Sequence, residues 1–303
     1  MLTRRAALAS FAAFAAAPFA HAQGAALPVV ATFSILGDFV REIGGARVAL
    51  TTIVGPGGDA HVYAPTPADA RAVAGARVVV ENGLGYEGWM TRLVAATRSK
   101  ATRAVASKGV RTRAGEDRGG AHHHGHGHGI APHAWQSVPN ARIYVANIRD
   151  ALAAADADGA ALYARRADDY LKALDALDAE IRAEILKIAP ERRRIVTTHD
   201  AFGYFADAYG LTIAAPAGVS TEAEISARDV ARIVRQIKAE RIPAVFLETV
   251  SDQRLIAQIA RESGARIGGA LYSDALSPPD GPAGTYIDMM RHNIRELTKA
   301  LAP

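Results

Sequence analysis

The stretch DGAALYARRADDYLKALDALDAEIRAEILKI, residues 158–188, decides the architecture. Leu162, Tyr170, Leu174, Leu177, Ile181, Ile185 and Ile188 recur at helical spacing, no proline interrupts them, and the only glycine, Gly159, stands at the start. Pro190 ends the pattern. At 1.5 Å per residue such a helix is about 45 Å long, enough to run the length of a small two-lobed protein. It reads as a stiff strut between lobes. The helical pattern reaches back to about Asn140, and a break over Asp156 to Gly159 leaves open two ordinary helices within one lobe.

Outward from this strut, both flanks show the same alternation. Short apolar runs at 29–33, 48–54, 78–80, 195–198, 211–215, 244–247 and 267–271 have buried-strand character. Amphipathic stretches such as 35–43, 68–74, 227–240 and 252–263 lie between them. Strand–helix alternation predicts an α/β fold, here two lobes, each with a mainly parallel sheet flanked by helices, bridged by one long rigid helix. A chain of 303 residues with 50% hydrophobic and 22% charged residues suits about two domains. The expected boundaries are a signal peptide at 1–22, an N-terminal lobe at 23–138, a linking helical region at 139–189 and a C-terminal lobe at 190–303.

The N-terminus opens on Arg4 and Arg5, continues in the alanine-rich run 6–17, and reaches Ala20-His21-Ala22. A charged start, an apolar run too short for a stable span and an Ala-x-Ala site describe an export signal, and the arginine pair is compatible with the twin-arginine route. The mature chain is therefore expected in the periplasm. Cysteine is absent, which excludes disulfides, thiolate metal sites and attachment of lipid through an N-terminal cysteine. No membrane anchor is expected, and a monomer is. The net charge is +4, two units of it from Arg4 and Arg5, and the remaining basic residues alternate with acids, as in Glu191-Arg192-Arg193-Arg194. That pattern argues against a nucleic-acid partner.

Without thiolates, any transition-metal site must use His, Asp or Glu. Five of the ten histidines, His122, His123, His124, His126 and His128, alternate with glycine in a low-complexity tract at about 115–129. Its composition reads as an accessory metal-attracting loop. With His21 in the export signal, His61, His133, His199 and His292 remain. His61 follows a strand and the turn Gly55-Pro56-Gly57-Gly58, His133 sits in APHAW after the tract, and His199 ends the strand 195–198. Open α/β sheets bind ligands at such strand ends. Asp274, in LYSD at the end of the last strand, is the natural carboxylate to join them. His292, in the final helix, is read as structural. No H-E-x-x-H helix and no Gly-x-Ser-x-Gly elbow offers a secreted hydrolase its machinery, so no enzyme is expected.

Five ordered blocks add a resemblance: ATFSILGD (31–38), GDAHVYAPTPAD (58–69), PHAW (132–135), THDAFGYF (198–205) and SDALS (273–277). Together they resemble the metal-binding receptors of ABC importers for zinc and manganese, over essentially the whole mature chain. The resemblance implies one metal in an interlobe cleft, delivered to an inner-membrane ABC permease, and carries ligand roles onto His61, His133, His199 and Asp274. It also matches Glu248 to a recurrent carboxylate near the cleft, read here as an acceptor that fixes a loop. Two positions depart from the family pattern: Ala60 stands where many relatives have Pro, and Ala131 where many have Asp. The cargo expected from three imidazoles and one carboxylate is a single tightly held zinc, with manganese or iron as the alternative. His199, where manganese receptors more often resemble a Glu-containing pattern, and the histidine tract both favour zinc.

Overall fold

The computed structural model describes residues 25–115, 129–222 and 225–302. The expected export signal at 1–22 and the histidines at 122–128 lie outside the described residues. Two four-stranded sheets, both wholly parallel, organise the chain. The first contains β1 (Leu27–Phe33), β2 (Val48–Val54), β3 (Val78–Glu81) and β4 (Thr102–Val105) in the order β2-β1-β3-β4. The second contains β5 (Arg194–Val196), β6 (Thr212–Ala214), β7 (Ala244–Glu248) and β8 (Arg266–Leu271) in the order β6-β5-β7-β8. The second sheet thus repeats the strand order of the first.

In the first half, α1 (Ser34–Gly44), α2 (Pro67–Gly75) and α3 (Met90–Thr97) connect the strands. Thr66 and Asp69 close a reciprocal capping box at the start of α2. Close packing of α1 on β2 depends on Gly37, where a Cβ would fall 2.5 Å from Thr52 Oγ1. In the second half, α6 (Gly203–Tyr209), α7 (Ala227–Glu240) and α8 (Gln253–Ser263) connect the strands, and α9 (Tyr286–Leu301) closes the described chain. Val196 and Val245 face α7 and α8, whereas Ile195, Ala244 and Phe246 turn to the opposite face and join the larger core. This is the period-2 alternation of a strand covered on both sides.

The stretch 140–188 forms two helices, α4 (Val138–Ala155) and α5 (Ala160–Leu186), separated by a tight turn over Ala157–Gly159. At the break, Asp156 accepts from Arg47 Nε at 2.5 Å and from Tyr163 Oη at 2.6 Å. α5, about 40 Å long by its 27 residues, buries Tyr163, Ala167, Tyr170, Leu174, Leu177, Ile181 and Ile185. It packs on α1 and α4 of the first half and on α9 of the second, and so bridges them. No helix among the described residues is long and apolar enough to cross a membrane. Edge strand β4 has no counterpart among the expected strands, because TRAV buries only Ala104 and presents polar residues to either side.

Candidate metal centre

Four side chains from four separate segments converge between the sheets: His61, His133, His199 and Asp274, each offering one ligand atom within 4.8 Å of all the others. His61 lies in the loop from β2 to α2. Asp59 Oδ1 accepts the His61 backbone N–H at 2.9 Å, and Trp89 Nε1 donates to the Ala60 carbonyl at 2.8 Å. A small residue at 60 lets this carbonyl meet the indole, and Ala60 is fully buried. His133 precedes the tight turn Ala134–Gln136. Its neighbours are pinned by Asn82 Nδ2 donating to the Pro132 carbonyl at 3.0 Å and Tyr204 Oη donating to the Ala131 carbonyl at 3.0 Å.

Asp274 follows β8 of the second sheet, yet its surroundings belong to the first half. The Ser273 carbonyl accepts from Trp135 Nε1 at 2.9 Å and Gln136 Nε2 at 2.6 Å. Leu276 N donates to Ser34 Oγ at 2.9 Å, and Gly57 N donates to the Leu276 carbonyl at 2.9 Å. His199 lies beyond β5, near the point where the order of the second sheet reverses between β5 and β7. Glu248, the last residue of β7, holds it: Oε1 accepts the backbone N–H of Thr198 at 2.6 Å and of His199 at 3.0 Å, and Oε2 lies 2.7 Å from His199 Nδ1.

The imidazoles present Nε2 to a common point. His61 Nε2 and His133 Nε2 are 3.0 Å apart; Asp274 Oδ2 lies 3.6 Å from His61 Nε2 and 3.1 Å from His199 Nε2, and Oδ1 lies 3.4 Å from His133 Nε2. His133, His199 and Asp274 are buried, and His61 is partly so. Neither oxygen of Asp274 makes a hydrogen bond of good geometry among the described residues; both face only the imidazoles, Oδ2 lying 3.1 Å from His199 Nε2. Buried polar atoms left unpaired carry a desolvation cost that a bound cation would relieve.

The electrostatics divide the three imidazoles. Burial depresses His133 well below the ordinary imidazole value, with His199 and His61 adding repulsion. Burial also lowers His61, against the pull of Asp274. Burial acts on His199 in the same direction, but the Glu248 and Asp274 carboxylates outweigh it and raise His199 well above the ordinary value. Glu248 is lowered in turn: burial would raise it, and the His199 imidazolium and the hydrogen bonds around it prevail. Without a cargo ion, the centre therefore keeps its proton on His199.

His292 stands apart: its Nε2 meets the Ala270 carbonyl at 3.0 Å, a backbone partner that sequence alone did not supply. Sequence reasoning also missed the Trp135–Gln136 clamp on Ser273 and the Tyr86 ring, which packs edge-on against His61 at 4.5 Å. It missed Asp59 as well, although an Asp two residues before His61 is the signature of an Asx turn.

Known proteins resemble this chain over most of its length. The family model for the periplasmic component A of the zinc-uptake complex matches residues 29–300. The chain is 36% identical to the manganese-binding lipoprotein MntA of Halalkalibacterium halodurans, over 92% of this chain and 90% of that protein. It is 33% identical to the iron-binding protein YfeA of Yersinia pestis, over 89% of this chain and 85% of that protein. Among solved structures, the periplasmic zinc-binding protein TroA of Treponema pallidum superimposes with a TM-score of 0.83 at 30% identity, covering 91% of this chain and all of that one. The three relatives carry the names of three different metals.

Proposed function

This chain belongs to the family of metal-binding substrate receptors of ABC importers, which are receptors and not enzymes, and from that premise we propose that it captures zinc for a permease in the inner membrane. The ion is held by Nε2 of His61, His133 and His199 and by the Asp274 carboxylate. The observation that carries this reading is the convergence of those four donors around unpaired, buried atoms. Zinc–nitrogen bonds of about 2.0–2.1 Å put the ligand atoms of a tetrahedron about 3.3 Å apart. The 3.0 Å between His61 and His133 and the 3.1–3.6 Å from Asp274 to the three imidazoles need little adjustment to meet that value, and all four ligand atoms lie within 4.8 Å of one another. Three nitrogens and one carboxylate are a borderline-soft set that suits zinc.

Manganese or iron is the second reading, and a specific feature favours it. Asp274 turns both oxygens toward imidazoles, Oδ1 to His133 and Oδ2 to His61 and His199, so a chelating carboxylate would raise the donor count to five. Metals that prefer more oxygen donors and higher coordination numbers gain from that arrangement. The names of the manganese and iron relatives point the same way. Because zinc outranks manganese at most nitrogen and oxygen sites, affinity alone does not separate the readings, and cellular uptake does. Removing the chain should impair accumulation of zinc, and a loss confined to manganese or iron would replace the zinc reading.

In operation, two imidazoles meet the ion already neutral, and the third, His199, loses its proton to solvent as the ion takes its Nε2. Glu248, by gripping the backbone of Thr198 and His199 and the far nitrogen of the ring, orients His199 as acceptors behind metal-bound histidines commonly do. The proposed division places capture between the 23–138 and 190–303 regions, joined by the 139–189 helices. Export through residues 1–22 to the periplasm, a monomeric state and an accessory role for the histidines at 122–128 rest on sequence composition.

A further inference from the structure

A pocket of about 260 Å³ opens beside His199, with Asp59, Val62, Thr198, Thr221 and Ser251 in its wall. Across it, two segments distant in sequence meet. The Thr221 hydroxyl donates to Asp59 Oδ2 at 2.6 Å, while the other oxygen of the same carboxylate accepts the His61 backbone N–H at 2.9 Å. Thr221 is tied in turn to the His199 side of the cleft. Ala217 N donates to the Thr198 carbonyl at 3.3 Å, and Asp200 N donates to the Gly218 carbonyl at 3.0 Å. A path therefore runs from the backbone of His61 through the Asp59–Thr221 hydrogen bond, along the backbone of 218–221, and by the hydrogen bonds of Ala217 and Gly218 to the residues that flank His199.

Along this path the Asp59–Thr221 bond is the one side chain–side chain step that ties the His61 side of the cleft to the His199 side. Val62, next to His61, is 52% exposed at the pocket mouth, so solvent reaches this edge of the cleft. The same wall includes Thr198 and Ser251, whose buried hydroxyls lack hydrogen-bond partners among the described residues. We propose that Asp59 and Thr221 form a latch across the cleft that sets the rate of metal release. They are positioning residues, acting through His61 without touching the ion, and the proposal rests on the assignment of His61 and His199 as ligands.

Thr221→Val removes the donor and leaves the Asp59–His61 bond intact, whereas Thr221→Ser retains the donor. The test is stopped-flow transfer of zinc from the loaded full chain to excess chelator. One charge-assisted hydrogen bond, partly exposed, should be reflected in release about tenfold faster in Thr221→Val, with association within about twofold and Thr221→Ser close to wild type. Thr221→Ala gives the same readout without added bulk at 221. A second measurement needs no metal: hydrogen–deuterium exchange over residues 58–63 of the metal-free chain should quicken in Thr221→Val and not in Thr221→Ser. Unchanged release from the folded Val and Ala variants would overturn the latch, as would equal acceleration in Thr221→Ser. Failure of the ligand assignment looks different, since His199→Ala would then bind zinc as the wild type does.

Discussion

The two sides of the cleft hold their ligands by different means. On the first-sheet side, His61, His133 and Asp274 share one frame of many neutral hydrogen bonds: Trp89 on Ala60, Asn82 on Pro132, Trp135 and Gln136 on Ser273, and Ser34 under Leu276. Asp274 joins this frame although it follows a strand of the second sheet. On the other side, the far nitrogen of the His199 ring meets one buried carboxylate, Glu248, which also accepts from the backbone of Thr198 and His199. A distributed frame loses little when one bond is removed, but a single buried charge pair loses most of its value when either member goes. The difference predicts where the molecule is fragile.

The largest effect is expected at His199. His199→Ala should weaken zinc binding by about 3 kcal/mol, roughly one ligand's share of a structural zinc site, as read by competition titration. Next, Glu248→Gln keeps the shape but removes the charge that raises His199, and a lost partner behind a ligating histidine costs about 10–100-fold in metal affinity. The same variant tests the proton balance. In the wild type, zinc must expel a proton that the Glu248 and Asp274 carboxylates hold on His199 above the ordinary imidazole range. Binding at neutral pH should release that proton and strengthen with rising pH beyond 6.5. Calorimetry in buffers of different ionisation enthalpy should show the release, and show it diminished in Glu248→Gln.

A third prediction concerns Glu87 in the first-half frame, which accepts from Thr32 Oγ1 and from the backbone of Asn82 and Gly83. Burial raises its carboxyl to about 7, against those hydrogen bonds. A carboxyl whose folded value lies above its unfolded value of about 4.5 contributes stability that is complete below 4.5 and lost as pH rises through 7. Relative to wild type, metal-free Glu87→Gln should gain on the order of 2–3 kcal/mol between pH 4.5 and 8, measured by urea unfolding. No change in the difference between the two proteins over that range would contradict the assignment. The smallest effect on metal binding is expected from Trp135→Phe, which removes one of two donors to Ser273 and part of a fully buried ring. Unfolding should report a loss of about 2–3 kcal/mol from the hydrogen bond and the cavity together, while zinc affinity stays within a few fold; a larger loss of affinity would show that the frame is no more robust than the Glu248 side.

Much of this was legible along the chain. β2 runs over Val48–Val54 and α7 over Ala227–Glu240, as their apolar patterns require, and the long amphipathic stretch yields α5 within two residues at either end. Buried strands and long helices carry their packing in their own periodicity. β4 does not, because an exposed edge strand owes its conformation to its neighbour β3. The four converging residues were marked by strand ends and by family resemblance. The bonds that orient them were not: Trp135 and Ser273 are 138 residues apart, and Asp59 and Thr221 are 162 apart. No local pattern encodes such pairs, since only the closed fold brings them together. The partner of His292 was hidden for the same reason.

A crystal structure of the zinc-loaded chain, with anomalous scattering measured on both sides of the zinc edge, tests the central claim most directly. The account predicts one fully occupied zinc peak between the two sheets, with Nε2 of His61, His133 and His199 and an oxygen of Asp274 at about 2.0–2.2 Å. A principal peak elsewhere, or a zinc at the cleft with water in the place of His199, would contradict it.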